Sequence, residues 1–410
     1  MKNKRFWSYE NQMVAICMLC TGFAMFDRFA LSNLSPFVIE DIPMNNTQLG
    51  QTMAVLGIAW AISGYIGSIY SDISVNKKRF LGMIILLFSA CSFITGLATS
   101  FVMIIVLRFI MGLFEGPIYP LAQSFSFAQS SLKRRGFNMG LITTTSMGVI
   151  ASLAGPIILV ALATSFGWRH AFFFTLIPGM ITALLVFTKL KEPDMTKIEG
   201  SKAKETKPTF RESLTIYKNR NVRTSMILGS FVVIWSVGTL TFAPIYLVTV
   251  KGFDPTTMSY IMAVFGLGAV VWGMLVPGIS DRIGRKPAVI IFSLLSIISP
   301  LGLLFAHDPI IIGICIFTGW SASGSFALFQ ATIIGESIDT KYTSTAISSV
   351  QVMQEIGGGV VGVTMAGILA DMYGLQAVFV FIIGSLVVAA LVAFSYYETA
   401  PLVLAKRSGK

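Results

Sequence analysis

Charged residues are scarce in this chain of 410 residues, at 12% of the total, whereas soluble domains carry roughly 25%. Hydrophobic residues make up 54%, and the mean hydropathy is +0.77. This balance excludes an ordinary soluble enzyme and predicts a membrane protein that crosses the bilayer many times.

Histidine and cysteine are scarcer still, with two and four residues. His170 and His307 fall at the ends of apolar stretches, and no cysteine and histidine cluster has the spacing of a metal site. A Walker-type glycine loop, which an ATP-driven pump needs, is also absent. We therefore expect no enzyme, no metal and no cofactor other than protons as a coupling ion.

Apolar stretches of about 20 residues, long enough to cross about 30 Å of hydrocarbon as a helix, recur along nearly the whole chain. They predict an all-α membrane protein with twelve transmembrane helices. The predicted spans are 12–34, 48–71, 79–99, 101–124, 137–165, 170–189, 224–249, 257–279, 287–306, 309–331, 344–369 and 376–396.

The 30 lysine and arginine residues are distributed unevenly. Twelve spans place all but Arg28, Arg108, Arg169 and Lys251 on one side of the membrane. Basic loops face the cytoplasm, so we expect both termini to be cytoplasmic in a multi-pass protein of the cell (inner) membrane. The positive charge then reflects topology in a lipid bilayer, and no nucleic-acid partner is expected.

The chain also repeats itself. A polar stretch divides it into an N-terminal six-helix bundle at 1–190, a cytoplasmic linker at 191–222 and a C-terminal six-helix bundle at 223–410. Asp72 and Asp281 each begin a basic turn at matching places in the two halves. Six-span repeats are a signature of secondary transporters, whose substrates bind near the midplane between the repeats.

The second of these turns, Asp281-Arg282-Ile283-Gly284-Arg285-Lys286, resembles the D-R-x-G-R-K signature of the major facilitator superfamily. In the first turn, Asp72 is kept but the later consensus residues are replaced. The resemblance implies two six-helix pseudo-repeats and a cytoplasmic charge network that locks helices in one conformation. The gating residues it implies are Asp72, Asp281, Arg282, Gly284 and Arg285.

Ionisable residues inside the spans are the strongest functional signal. A charge at bilayer depth costs at least roughly 2.5 to 3.5 kcal/mol and usually marks a substrate or ion path. The acids well inside predicted spans are Asp27, Glu115 and Glu355. Arg108 and Glu115 are seven residues apart, which returns to the same helix face about 10 Å further along the axis.

Two interpretations of these charges remain open. Asp27 and Arg28 in the first span, with Arg108 and Glu115 in the fourth, form either a permanent ion-pair network or a transport site in one water-accessible chamber. In a transport site the arginines hold an anion, and the neutral form of a carboxyl is favoured once substrate occupies its arginine partner.

The string Phe26-Asp27-Arg28-Phe29, with Arg108-x3-Gly112-x2-Glu115-Gly116 in the fourth span, resembles the anion:cation symporter family. That family includes bacterial sugar-acid transporters of the galactonate type and is related to sialin and the vesicular glutamate transporters. The resemblance implies that Asp27 and Glu115 are protonation sites and that Arg28 and Arg108 bind substrate. Trp60 stands where the pattern has an aromatic hydroxyl, and we assign it to the substrate site.

The eleventh span carries a polar stripe. Ser344, Ser348, Gln351 and Glu355 recur at helical spacing and are expected to face the protein interior, since lipid offers them no partners. Gln351 and Glu355 are thus candidate substrate contacts, although Glu355 is equally interpreted as a neutral packing acid.

Together these features predict a monomeric, proton-coupled symporter that imports a small organic anion, such as a sugar acid or another carboxylate, by alternating access. One alternative is an antiporter that exports drugs or exchanges organic anions. Another is a sensor or scaffold that binds its ligand without flux.

Overall fold

The computed structural model describes residues 8–73, 76–131, 134–192, 214–401 and 403–404. Within these ranges all regular structure is helical, and eleven stretches are long and apolar enough to cross a membrane. Helix α2, at Asn46–Ile73, coincides with the remaining predicted span. The prediction of an all-α, twelve-helix membrane protein is confirmed.

The first half of the chain contains eight α-helices and two π-helical segments in its described part. The helices are α1 Tyr9–Asp41, α2 Asn46–Ile73, α3 Lys77–Thr95, α4 Phe101–Glu115, α5 Ile118–Gln129, α6 Arg135–Gly140, α7 Gly155–Phe166 and α8 Trp168–Lys189. The π-helical segments are Leu141–Thr145 and Met147–Ala154, between α6 and α7.

The second half begins with a short 3-10 helix at Leu214–Lys218. The α-helices described there are α9 Arg220–Thr249, α10 Pro255–Ile283, α11 Arg285–Leu295, α12 Ile298–Phe305, α13 Pro309–Gly319, α14 Ser325–Ala327, α15 Ile333–Ser337, α16 Thr340–Gln354, α17 Val363–Tyr373 and α18 Gln376–Ala393. A 3-10 turn at Ser321–Gly324 and π-helical segments at Leu328–Thr332 and Glu355–Gly362 interrupt the tenth and eleventh spans.

Helix α1 runs past the predicted end of the first span at residue 34 and continues through Pro36 to Asp41. Proline lacks the N–H that would bond to the carbonyl four residues earlier. The Ser35 hydroxyl donates to that carbonyl, the Ser32 oxygen, at 2.8 Å. Because the freed acceptor is satisfied locally, the helix continues where the sequence predicted its end.

The chain forms two compact units. Unit 1 consists of Met1–Met44, Val55–Ser201 and Asp254–Gly266, and unit 2 of Asn45–Ala54, Lys202–Phe253 and Leu267–Lys410. The units follow the two sequence halves except at the first turns of α2 and the first half of α10. The bundle boundaries at 190 and 223 stay a prediction.

The core of unit 1 lies between α1, α3, α5 and α8. Cys17 and Cys20 are free cysteines and belong to this apolar cluster with Phe88 and Phe125. Both are completely buried. Both cysteines therefore pack as small apolar residues within this cluster.

Candidate functional site

Asp27 lies in α1, where its carboxylate is 2% exposed. The Ser92 hydroxyl of α3 donates to its Oδ1 at 3.1 Å, and the Thr175 hydroxyl of α8 donates to Ser92 at 2.8 Å. Two further helices therefore position this acid through a chain of hydroxyl groups.

Arg108 lies in α4 and is completely buried. Its Nη1 donates to the backbone oxygens of Asp27 at 3.3 Å and of Arg28 at 3.0 Å. Nε and Nη2 have no hydrogen-bond partner among the described residues. One side of the guanidinium thus attaches α4 to α1, while the other side keeps two donors available.

Glu115 ends α4 and is also completely buried. Neither carboxyl oxygen accepts a hydrogen bond from the described part of the chain. Arg28 and Arg108 are nevertheless close enough to act on it electrostatically. A buried carboxyl without a bonded partner is costly, and such groups are concentrated at functional sites.

Gly112 of α4 and Gly116, the residue directly after this helix, allow α2 to approach the charged residues. A Cβ on Gly112 would lie 2.5 Å from the Leu56 oxygen and 2.9 Å from the Ala59 Cβ. One turn on, a Cβ on Gly116 would collide with Ser63 and with the backbone of α2. The Ser63 hydroxyl donates to the Gly112 oxygen at 3.0 Å. The glycine spacing thus sets how close Trp60 comes to the charges.

Trp60 of α2 faces Arg28 of α1, with 5.6 Å between the guanidinium carbon and the ring centroid. Its other neighbour is Tyr119, whose ring lies 6.4 Å away in an edge arrangement. The indole Nε1 is buried and has no described hydrogen-bond partner. Tyr119 was not identified from the sequence, although it follows Glu115 by one helical turn.

The structure thus brings the four predicted charges of the first and fourth spans together in the interior of unit 1. Asp27 and Glu115 form no ion pair with Arg108 in the described part of the protein. At most 5% of any of these four residues is exposed, and the shared water-accessible chamber stays a prediction.

The polar stripe of the eleventh span is only partly buried, and the side chain of its first member, Ser344, lies outside the described residues. Ser348 is exposed, whereas Gln351 and Glu355 are half-buried. The residue that packs is Gln354, at 2% exposure, and its Oε1 accepts from Gln330 at 2.7 Å. Gly229 of α9 leaves room for this amide, so Gln354 is more deeply buried than the stripe residues beside it.

The basic turn of the second half forms a network of charged side chains within unit 2. Arg285 Nη1 donates to Asp281 and to Ser280, both at 2.6 Å, and Nη2 donates to Glu336 of α15 at 3.0 Å. Gly284 has a φ of 108°, which favours glycine. Arg282 is exposed.

A carboxylate that the sequence analysis missed caps the helix after each basic turn. Glu398 accepts from the Arg285 N–H at 2.8 Å, and Glu192 accepts from the Lys77 N–H at 2.6 Å. Lys77 therefore takes the position of Arg285 in the first half. The two acids stand at matching places in the repeat, which is the signal that would have found them. The side chain of Asp72 lies outside the described residues.

A buried group of two acids and two arginines inside a helical membrane protein is typical of a membrane transporter. The profile of the Major Facilitator Superfamily matches residues 17–361 and 279–410. The chain belongs to this superfamily, as its basic turn predicted, and it is a membrane transporter rather than an enzyme.

Known proteins are similar over most of the chain. A hexuronate transporter of Bacillus subtilis (strain 168) is 27% identical over 314 residues, which cover 75% of this chain and 70% of that protein. The multidrug resistance protein MdtG of Escherichia coli O6:K15:H31 (strain 536 / UPEC) is 25% identical over 386 residues, covering 89% of each chain. A bacterial homologue of the human lysosomal transporter Spinster shares the fold, with a TM-score of 0.78, 17% identity and coverage of 95% and 97%.

Proposed function

We propose that the protein is a proton-coupled symporter that imports a small organic anion, such as a sugar acid, by alternating access. The observation that carries the proposal is the pair of unused donors on buried Arg108, two turns before the unbonded carboxyl of Glu115 in the same helix. The protein would act as a monomer in the cell inner membrane with both termini cytoplasmic, and protons would be its only coupling partner.

The donor set suits an anion. A guanidinium edge binds a carboxylate through two parallel hydrogen bonds, and Arg108 has Nε and Nη2 available for this. The buried N–H of Trp60, whose ring faces Arg28, is a third donor without a described partner. Leaving such groups unpaired is unfavourable, so an anionic ligand that pairs with them binds with a gain in free energy.

The acids suit proton coupling. When substrate occupies the arginines, Glu115 and Asp27 lose electrostatic support for their charged forms and take up protons. Proton uptake offsets the negative charge that the substrate adds, which favours passage through a low-dielectric state. Gln351 and Glu355 are proposed to contribute from the second half, where both are half-buried.

The likeness to a hexuronate transporter supports a sugar acid as the first substrate to test. Purified protein in liposomes should accumulate radiolabelled galacturonate or glucuronate when the outside is acidic, and each uptake event should acidify the lumen. Absence of uptake across sugar acids and simple dicarboxylates would overturn the proposed substrate class.

Glu115→Gln tests the coupling role. The variant should still exchange substrate between two pools, because its amide mimics the protonated carboxyl, but it should not accumulate substrate along a proton gradient. Glu40→Gln, at an exposed acid of α1, is the control and should behave as the parent. Full uphill uptake by Glu115→Gln would remove Glu115 from the coupling step.

An antiporter is the second candidate, and the likeness to MdtG over 89% of the chain favours it. Liposomes distinguish the two mechanisms through the direction of proton movement. Substrate entry that alkalinises the lumen, or that requires a counter-substrate inside, supports the antiporter and contradicts symport.

A further inference from the structure

The N-terminus of α2 is capped by two different groups, one within its own first turn and one on another helix. Gln48 N–H donates to the Asn45 side chain at 2.7 Å, and Asn45 N–H donates to the Gln48 side chain at 3.0 Å. This reciprocal pair is a capping box. The N–H groups of Asn46 and Thr47 take no part in this box, and they have no hydrogen-bond acceptor inside the helix.

Asp371, in the last turn of α17, accepts from both of these groups. Its Oδ1 binds the Asn46 N–H at 2.8 Å and the Asn46 amide at 2.9 Å. Its Oδ2 binds the Thr47 N–H at 2.9 Å and the Thr47 hydroxyl at 2.5 Å. One carboxylate thus completes the N-terminus of another helix with four hydrogen bonds, all within unit 2.

Two glycines allow this approach. A Cβ on Gly367, one turn before Asp371, would lie 2.5 Å from the Asn46 oxygen and 2.8 Å from the Thr47 Cα. A Cβ on Gly50 of α2 would lie 2.8 Å from the Val363 oxygen of α17. The two backbones therefore fit closely along a full turn of each helix.

The position of Asp371 is unfavourable for its own helix, since a negative charge near a helix C-terminus opposes the helix dipole. The same charge is favourable at the N-terminus of α2. By contrast, Asp254 binds the N–H groups of Thr256 and Thr257 at the start of its own helix, α10, at 3.0 Å. Asp371 is thus placed to hold α2.

We propose that Asp371 is a latch that keeps the transporter closed on its non-cytoplasmic side. The inference rests on the proposed alternating-access function and topology. By sequence, α2 belongs to the first repeat and α17 to the second, and both contact points lie at the predicted non-cytoplasmic ends. Opening to the outside separates the repeats there, so all four hydrogen bonds to Asp371 must break in each cycle.

A reporter cysteine at Thr52 tests the latch. Thr52 lies further along α2 and is 1% exposed, so Thr52→Cys should react slowly with a membrane-impermeant thiol reagent added outside cells. Adding Asp371→Ala should raise the labelling rate roughly tenfold, which corresponds to about 1.4 kcal/mol. Thr47→Val, which removes one of the four bonds, should raise the rate less and keeps the test valid should Asp371→Ala misfold.

Asp254→Ala is the matched control. The Thr257 hydroxyl and N–H hold the pKa of Asp254 below its ordinary value, so this carboxylate is charged at neutral pH. Like Asp371 it caps a helix N-terminus, but the helix that it caps is its own. This control should leave Thr52→Cys labelling unchanged. The parent without the reporter gives the background from the four native cysteines.

Unchanged labelling in both Asp371→Ala and Thr47→Val would overturn the latch, as would an equal increase in Asp254→Ala. The labelling needs no substrate, so it separates this inference from the proposed function. Faster labelling in a protein that carries no anion would overturn the proposed substrate and support the latch.

Discussion

Arg108 is bonded on one side only, and this asymmetry is the main feature of the site at the scale of residues. Nη1 is held by two backbone carbonyls of α1, so the orientation of the guanidinium plane does not depend on a ligand. A preorganised donor edge binds an anion with less loss of entropy than a free side chain does.

Arg108→Lys should abolish this arrangement while it keeps the charge. An ammonium group cannot bond to two carbonyls of α1 and also present a planar pair of donors. We expect sugar-acid binding to weaken roughly tenfold to hundredfold, since hydrogen bonds to charged groups contribute about 1.5 to 3 kcal/mol. The measurement is ligand-induced thermal stabilisation of purified protein.

Arg169→Lys provides the control, because Arg169 pairs with Asp41 at 3.0 Å with a third of its side chain exposed. Exposed pairs contribute about 0 to 1 kcal/mol, and ligand binding should stay unchanged. Equal affinity in Arg108→Lys and the parent would contradict a role for the guanidinium edge.

Residue patterns identified the charges but not all of their neighbours. Asp27, Arg28, Arg108 and Glu115 were found because charge is rare inside apolar spans. Tyr119 was missed because a tyrosine in a span carries no such signal. Gln354 was missed in favour of Gln351, since the buried face of α16 depends on Gly229 in another helix.

At the scale of elements, the contact between α2 and α4 depends on small residues. Close helix approach in membranes requires glycine or similar residues at the contact. Gly112 in α4 and Gly116 directly after it are four residues apart and supply this contact. Ser63 adds a hydrogen bond to the Gly112 oxygen.

Gly112→Ala should therefore destabilise the protein by about 1 to 3 kcal/mol, the usual cost of an overpacked interior. The added methyl would meet the Leu56 oxygen and the Ala59 Cβ. The matched control is Gly140→Ala, where nothing lies within 4 Å of the added atom. Thermal unfolding in detergent should show a lower midpoint for the first variant only. Equal unfolding midpoints would contradict the proposed dependence of stability on the close contact between α2 and α4.

The ends of the elements follow local chemistry that the spans alone do not reveal. Glu192 and Glu398 each cap a helix that begins after a basic turn, and α1 continues through Pro36 because Ser35 satisfies the freed carbonyl. Span prediction counts apolar residues, so it does not detect a cap or a hydroxyl that extends a helix.

At the scale of the whole molecule, the distribution of basic residues predicts the orientation in the membrane. Lys189 and His307 are exposed and lie at opposite predicted faces. An impermeant thiol reagent should label His307→Cys in intact cells, and Lys189→Cys only after permeabilisation, because basic segments stay in the cytoplasm. Labelling of Lys189→Cys in intact cells would contradict cytoplasmic termini.

The sequence by itself determined the all-α class, the number of spans, the internal repeat, the superfamily and the charged residues of the site. These properties follow from composition and spacing, because a lipid solvent restricts spanning segments to apolar helices and makes each internal charge conspicuous. Only the tertiary structure decided that Arg108 keeps two donors unbonded, that Gln354 packs in place of Gln351, and that Asp371 holds the start of α2. Each depends on which side chains meet across helices far apart in the chain, and no local pattern encodes those contacts.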